Sequence, residues 1–135
     1  MIRPRPPRVS ERALQQQIVT ALRTVGATVY VLGTTRPRGD HPGTCQTAGL
    51  PDLCVHLPQA PRTLPGCGCA ECSPAHQLWI ECKAAGGRLR PAQQAFRDFC
   101  LEAGVPHLVG DLDVVLGYLH RRGYLREVAH YRRQA

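Results

Sequence analysis

Four residues in the middle of the chain have types and spacing that suit phosphodiester chemistry. Glu81 and Lys83 are two apart in "QLWIECKA", and Asp52 opens the apolar run "PDLCVHL". Gln93 follows in "RPAQQ", just after the lysine. Alternation along a strand puts Glu81 and Lys83 side by side on one face. If the strand that Asp52 starts pairs with theirs, the two carboxylates converge. Such a pair suits Mg²⁺, a hard cation that takes oxygen ligands and retains waters. A divalent cation there polarises a phosphoryl oxygen and lowers the pKa of a bound water.

Lys83 is the only lysine among 17 cationic side chains, the other 16 being arginine. An ammonium is a compact point charge that can orient an attacking water or stabilise a pentavalent phosphorane, a task a wide planar guanidinium fits poorly. The competing reading is an ordinary Glu–Lys pair on a solvated strand face, which an isolated E-x-K tripeptide would favour. Glu11 adds a third carboxylate. At ~100° per residue it falls about 20° from Ile18, in line with the apolar stripe of a helix. Two readings fit it equally: a buried acid needing a cation, or a first-turn acid complementing the helix dipole.

The elements that would position these groups follow from the apolar pattern. Ser10 stands as the N-cap of a helix running to about Val25 and stopped by Gly26, with Leu14, Ile18, Ala21, Leu22 and Val25 as its buried stripe. "ATVYVLG" (27–33), "PDLCVHL" (51–57) and "QLWIECKA" (77–84) read as strands. In the second, Leu53, Val55 and Leu57 share one face and Asp52, Cys54 and His56 the other. Pro91 begins a second helix, ended by Gly104, with Ala92, Phe96, Phe99, Cys100 and Ala103 as its apolar face. "VPHLVG" is a fourth strand, and "DLDVVLGYLHRRGYL" a last helix capped by Asp111. The order α-β-β-β-α-β-α predicts an α/β fold, one mixed sheet flanked by helices. Residues 1–9, with three prolines and three arginines, read as a flexible basic arm, and 121–135 as a basic tail.

At 135 residues, 43% hydrophobic, the chain suits one domain with a proper core. No apolar run approaches the ~20 residues of a membrane span. The N-terminus lacks the apolar segment of a signal peptide, so a cytoplasmic protein is expected. A net charge of +7 suggests a polyanionic partner, nucleic acid first.

Taken together, "SERALQQQIVTAL", "GLPDLCV" and "WIECKAAGGRLRPAQQ" resemble the PD-(D/E)XK nuclease superfamily, and more narrowly its VRR-NUC domain in stand-alone phage and bacterial form, over residues 10–120. The resemblance implies a restriction-endonuclease-like core and a Mg²⁺- or Mn²⁺-dependent endonuclease, structure-selective on branched DNA such as four-way junctions and acting as a homodimer. It implies that Asp52, Glu81, Glu11 and the carbonyl of Cys82 hold the metal, that Lys83 positions the water, and that Gln93 lies near the nucleophile or phosphate. Gly49 matches the small residue before "PD", where the chain turns tightly. Arg88 and Arg90, with Arg36 and Arg38, become candidates for DNA backbone contacts. Alternatives are a nuclease for flap, duplex or single-stranded DNA, or an inactive zinc-stabilised nucleic-acid-binding module.

The main departure is a Cys-rich insert over 58–76. Seven cysteines without an export signal suggest reduced thiols or a metal site. Cys67, Cys69, Cys72 and His76, spaced C-x-C-x2-C-x3-H, could close a structural Zn²⁺ site, with Cys54, Cys45 or His56 as substitutes for one ligand. A disordered, reduced loop that happens to be cysteine-rich, or a fortuitous disulfide, is the competing reading. Cys82 and Cys100 lie on apolar faces and read as core.

Overall fold

A computed structural model describes residues 9–32, 47–60 and 74–125. Its elements run α1 (Glu11–Thr24), β1 (Thr28–Val31), β2 (Leu53–Leu57), β3 (His76–Cys82), α2 (Pro91–Ala103), β4 (His107–Gly110) and α3 (Leu112–Arg121). This is the α-β-β-β-α-β-α order expected from the sequence. The sheet order is β1-β2-β3-β4, with β1–β2 and β2–β3 antiparallel and β3–β4 parallel. The parallel step requires a crossover, and α2 supplies it. The fold is therefore α/β, with a four-stranded mixed sheet flanked by helices.

The helix ends obey local rules. The Ser10 hydroxyl accepts from Ala13 N–H at 3.1 Å and the Asp111 carboxylate from Val114 N–H at 3.3 Å, each satisfying a donor that its helix leaves free. Gly104 closes α2 in the left-handed conformation.

One face of the sheet carries the aliphatic core. Leu53, Val55 and Leu57 from β2 and Leu78, Ile80 and Cys82 from β3 pack with Leu14, Ile18 and Leu22 of α1 and Val115 and Leu119 of α3. Most of these are wholly excluded from solvent, and each buried aliphatic side chain contributes about 1.5–3 kcal/mol. Of the expected α1 stripe, Ala21 and Val25 are only half-buried, and Val19 joins the core instead.

The opposite face is built differently. Phe96 of α2 meets Trp79 edge-on, with ring centroids 5.2 Å apart, and lies 5.9 Å from His107. The apolar face expected for α2 is corrected here. Only Cys100 is buried, Ala92 and Ala103 are exposed, and Phe99 is 66% exposed. The helix packs over β3 and β4 and makes no close approach to β1 or β2, so its contact with the sheet runs through Phe96 and Cys100.

The last turn of α3 and the residues just after it secure the two strand ends that flank residues 61–73. Tyr124 donates to the Pro58 carbonyl just after β2, and Tyr118 bonds His76 Nε2 at 2.8 Å where β3 begins. No helix among the described residues is long and apolar enough to cross a membrane.

The two sheet faces should respond differently to truncation. Leu22→Ala is expected to lower stability by about 2–5 kcal/mol. Phe99→Gln, despite its place in the apolar repeat, should stay within about 0.5 kcal/mol of the parent. Urea unfolding of both variants checks this, and a large loss at Phe99 would show that α2 buries that face.

Candidate metal centre

The antiparallel register of β2 and β3 builds the site. Leu53 pairs with Ile80 and Cys54 with Trp79. One step further along, Asp52 faces Glu81. The Leu32 N–H donates to the Asp52 carbonyl at 2.8 Å, carrying β1–β2 pairing to the same level. Because Leu53 and Ile80 point into the aliphatic core, alternation turns Asp52 and Glu81 to the opposite face, where α2 begins.

Each side chain is held by a named bond. Asp52 Oδ2 accepts from the Cys82 N–H at 2.9 Å. Glu81 Oε1 accepts from Gln93 Nε2 at 2.8 Å, and Gln93 Oε1 accepts from the Arg90 N–H at 2.8 Å. Gln93 therefore ties Glu81 to the first turn of α2. Lys83 Nζ is 3.9 Å from Glu81 Oε1, and the Lys83 N–H donates to the Gly110 carbonyl at 2.9 Å. The lysine is thus fixed by β4 at its backbone and free to aim its ammonium at the carboxylates.

Gly49 explains why the turn before Asp52 needs a glycine. Its φ is +91°, and a Cβ there would lie 2.5 Å from the Ala92 carbonyl oxygen. The turn thus seats directly against the first turn of α2, bringing the strand of Asp52 and the helix of Gln93 together. The tight turn matches the expectation from the sequence, whereas the contact with α2 has no counterpart there. Gly110, whose carbonyl holds Lys83, has none either. The signal for Gly110 was its place immediately before the Asp111 cap, where a strand passes directly into a helix.

Electrostatically the centre is short of positive charge. Glu81 is 4% exposed. Burial first, and the neighbouring Asp52 charge second, push its pKa up to about 7, with Lys83 opposing. Asp52 is raised as well, chiefly by burial, against the lowering effects of the Cys82 N–H and Lys83. Glu81 Oε2 is buried and has no hydrogen-bond partner among the described residues, an expensive state for a carboxylate oxygen.

These residues fit a hard divalent cation. Two adjoining carboxylates, one with an orphaned oxygen, are what Mg²⁺ uses when it completes its shell with water and substrate. Among the described residues no group of three or more His, Cys, Asp or Glu side chains is gathered to hold a metal, and Mg²⁺ does not require one. Glu11 is exposed, contrary to its alignment with the buried stripe. As the first residue of α1 it projects past the end of the core, yet its charge still raises the pKa of Asp52 and Cys82. The Cys82 thiol itself is buried in the core and pushed up to about 12, leaving it inert.

The other candidates are placed unevenly. Arg88 and Arg90 are exposed beside the start of α2. Arg36, Arg38, Cys45, Cys67, Cys69 and Cys72 lie outside the described residues. His76 is engaged at both ring nitrogens, Nδ1 with the Pro74 carbonyl at 2.8 Å and Nε2 with Tyr118, so coordination of a metal would require one of these bonds to break. Cys54 and His56 sit on the open half of the sheet, where Cys54 Sγ accepts from Gln77 Nε2 at 3.3 Å.

Two outcomes follow for this centre. Gly49→Ala combines a disfavoured φ with a backbone clash and should lower stability by about 2 kcal/mol or more, measured by chemical unfolding. The second concerns pH. Glu81 holds its proton more tightly folded (about 7) than at its ordinary 4.5, so the folded state carries more protons between these values. Metal-free stability should therefore fall as pH rises through this window. A divalent cation replaces that proton, so Mg²⁺ should raise the melting temperature more at pH 8 than at pH 5.5. Thermal melts with and without Mg²⁺ check this, and Glu81→Gln should remove the difference.

Comparison with family models, with curated proteins and with solved structures returns no match to this chain.

Proposed function

We propose that the protein is a metal-dependent DNA endonuclease, and that its sheet is the core of a restriction-endonuclease-like domain. The observation that carries this reading is the meeting of Asp52 and Glu81 across β2 and β3, with a buried unpartnered Glu81 oxygen and Lys83 Nζ 3.9 Å from Glu81 Oε1. The order of motifs that resembles the VRR-NUC domain supports it, as does the net charge of +7.

Asp52 and Glu81 would hold Mg²⁺ or Mn²⁺, with the Cys82 carbonyl and Glu11 as further donors. When bound, the cation polarises the scissile phosphate and makes water a stronger nucleophile. Gln93 orients Glu81, and its own orientation is set by the Arg90 N–H. Lys83 directs its ammonium to the water side of the phosphate. It places the water for in-line attack and offsets negative charge as the new P–O bond forms and the leaving oxygen departs. The exposed Arg88 and Arg90, next to this cluster in sequence, supply phosphate contacts on the strand being cut.

Branched DNA, such as a four-way junction, is the proposed substrate class. Paired cuts would require a two-fold homodimer, because the described residues hold one such cluster. An inactive binding module is the weaker reading, since it gives no reason to set a buried Glu81 against a half-buried Asp52 at a cost in stability.

The test is cleavage of four-way junction, flap, duplex and single-stranded DNA with Mg²⁺ or Mn²⁺. Lys83→Ala and Lys83→Arg should each lower the single-turnover rate on the order of 10²-fold or more, and Asp52→Ala should abolish metal-dependent cleavage. Equal cleavage by parent and variants would refute the assignment of the site. Equal rates on linear duplex and junction would refute selectivity for branches.

A further inference from the structure

Among the described residues, α2 is the one helix packed on the face of the sheet that carries the carboxylates, and it takes up only the β3–β4 half. Strand register arranges its side chains in cross-strand rows. Asp52 and Glu81 form one row. Two residues along β2, Tyr30, Cys54 and Trp79 form the next, continued by His107 on β4. Thr28, His56 and Gln77 form the third. Phe96 of α2 sits on Trp79 and His107, but α2 does not reach β1 or β2.

The uncovered part of these rows is aromatic. Tyr30 is 48% exposed, and His56, also exposed, meets its ring at 5.1 Å in a T-shaped arrangement. An edge-on partner fixes one ring while leaving aromatic surface open to solvent, the condition for stacking a planar group. Phe99 and Leu101 on α2 are also exposed, but no ordered row of contacts joins them to the carboxylates.

Position along the strand decides what this surface takes. Tyr30 is level with Cys54, two residues from Asp52, or about 7 Å along the strand. A phosphate at the carboxylate pair would leave the neighbouring base of the same strand within reach of Tyr30 and His56, provided that base is unpaired. A base inside a duplex is stacked on its neighbours and cannot turn onto a protein ring. Resting on the nuclease reading above, we infer that Tyr30 and His56 form a stacking platform for an unpaired nucleobase one nucleotide from the scissile phosphate. The substrate class this implies is DNA with a single-stranded segment at the cut, as at a branch point or a frayed end. The platform is indifferent to base identity, because every base presents a π-face.

Binding tests this without cleavage. Fluorescence anisotropy with a labelled 12-nucleotide single strand, and with the same sequence as duplex, is measured with Ca²⁺ in place of Mg²⁺. The chains compared are the parent, Tyr30→Ala, Tyr30→Phe and His56→Ala, each first checked for an unchanged melting temperature. Tyr30→Ala should weaken single-strand binding about 5- to 100-fold, His56→Ala by less, and Tyr30→Phe by under about twofold, with duplex binding little altered. Single-strand affinity unchanged in Tyr30→Ala, or equal losses on single strand and duplex, would overturn the platform. So would sedimentation showing that Tyr30→Ala converts a dimer to a monomer, because the face would then belong to a second copy. The nuclease reading stands or falls separately, on the Mg²⁺-dependent cleavage assay. Cleavage without a Tyr30 effect refutes the platform alone, and stacking without cleavage refutes the nuclease alone.

Discussion

Two carboxylates forced together at the ends of the two central strands set the terms for the rest of the molecule. Once Leu53 pairs with Ile80, Asp52 is committed to facing Glu81. A register shift of one residue would turn every core side chain of β2 outward. The apolar core therefore fixes the acidic pair, and the energy of that core holds it against charge repulsion. Lys83, the Cys82 N–H and the Gln93 amide relieve the strain only in part. Glu81 keeps a raised pKa and an oxygen without a partner.

The two faces of the sheet divide the work. On one, α1 and α3 bury an aliphatic layer that provides stability. On the other, α2 rests on a small aromatic contact and presents Gln93 to the acidic pair. A helix held by so little apolar area must be located by other means. The close seat of Gly49 against Ala92 and the Gln93–Glu81 bond supply them. The groups that position α2 are thus largely the groups of the site itself, so substitutions there couple stability to site geometry.

Much of this was legible in the sequence because local rules and tertiary demands agreed. Period-two alternation in "LCVHL" and "LWIEC" gave the faces of both strands, and Ser10, Asp111, Pro91 and Gly104 marked helix ends. Pattern failed where burial depends on how far a partner extends. Phe99 repeats at helical spacing with Phe96, but at ~100° per residue it turns about 60° away from the contact with Trp79 and His107 and is left exposed. Glu11 lines up with Ile18 on a helical wheel, but the wheel does not show that the core ends a turn later. For Gly110 the sequence marks only the junction of a strand with the Asp111 cap; that its carbonyl holds Lys83 leaves no trace in residue type.

His76 shows the same limit from another direction. Its spacing from Cys72 suits a zinc ligand, yet its ring bridges the Pro74 carbonyl and Tyr118. With Nδ1–H donating to a carbonyl, a neutral imidazole accepts at Nε2 from the tyrosine hydroxyl, and both nitrogens are satisfied without a metal. Tyr124, three residues past the end of α3, makes the matching contact at Pro58, so α3 and the turn after it hold both strand ends that flank residues 61–73. These are the ends of β2 and β3 farthest from Asp52 and Glu81. The same two strands are therefore held at one end by aromatic hydroxyls and at the other by the Asp52 bond to Cys82. Register is pinned at both ends, and with it the distance between the acids.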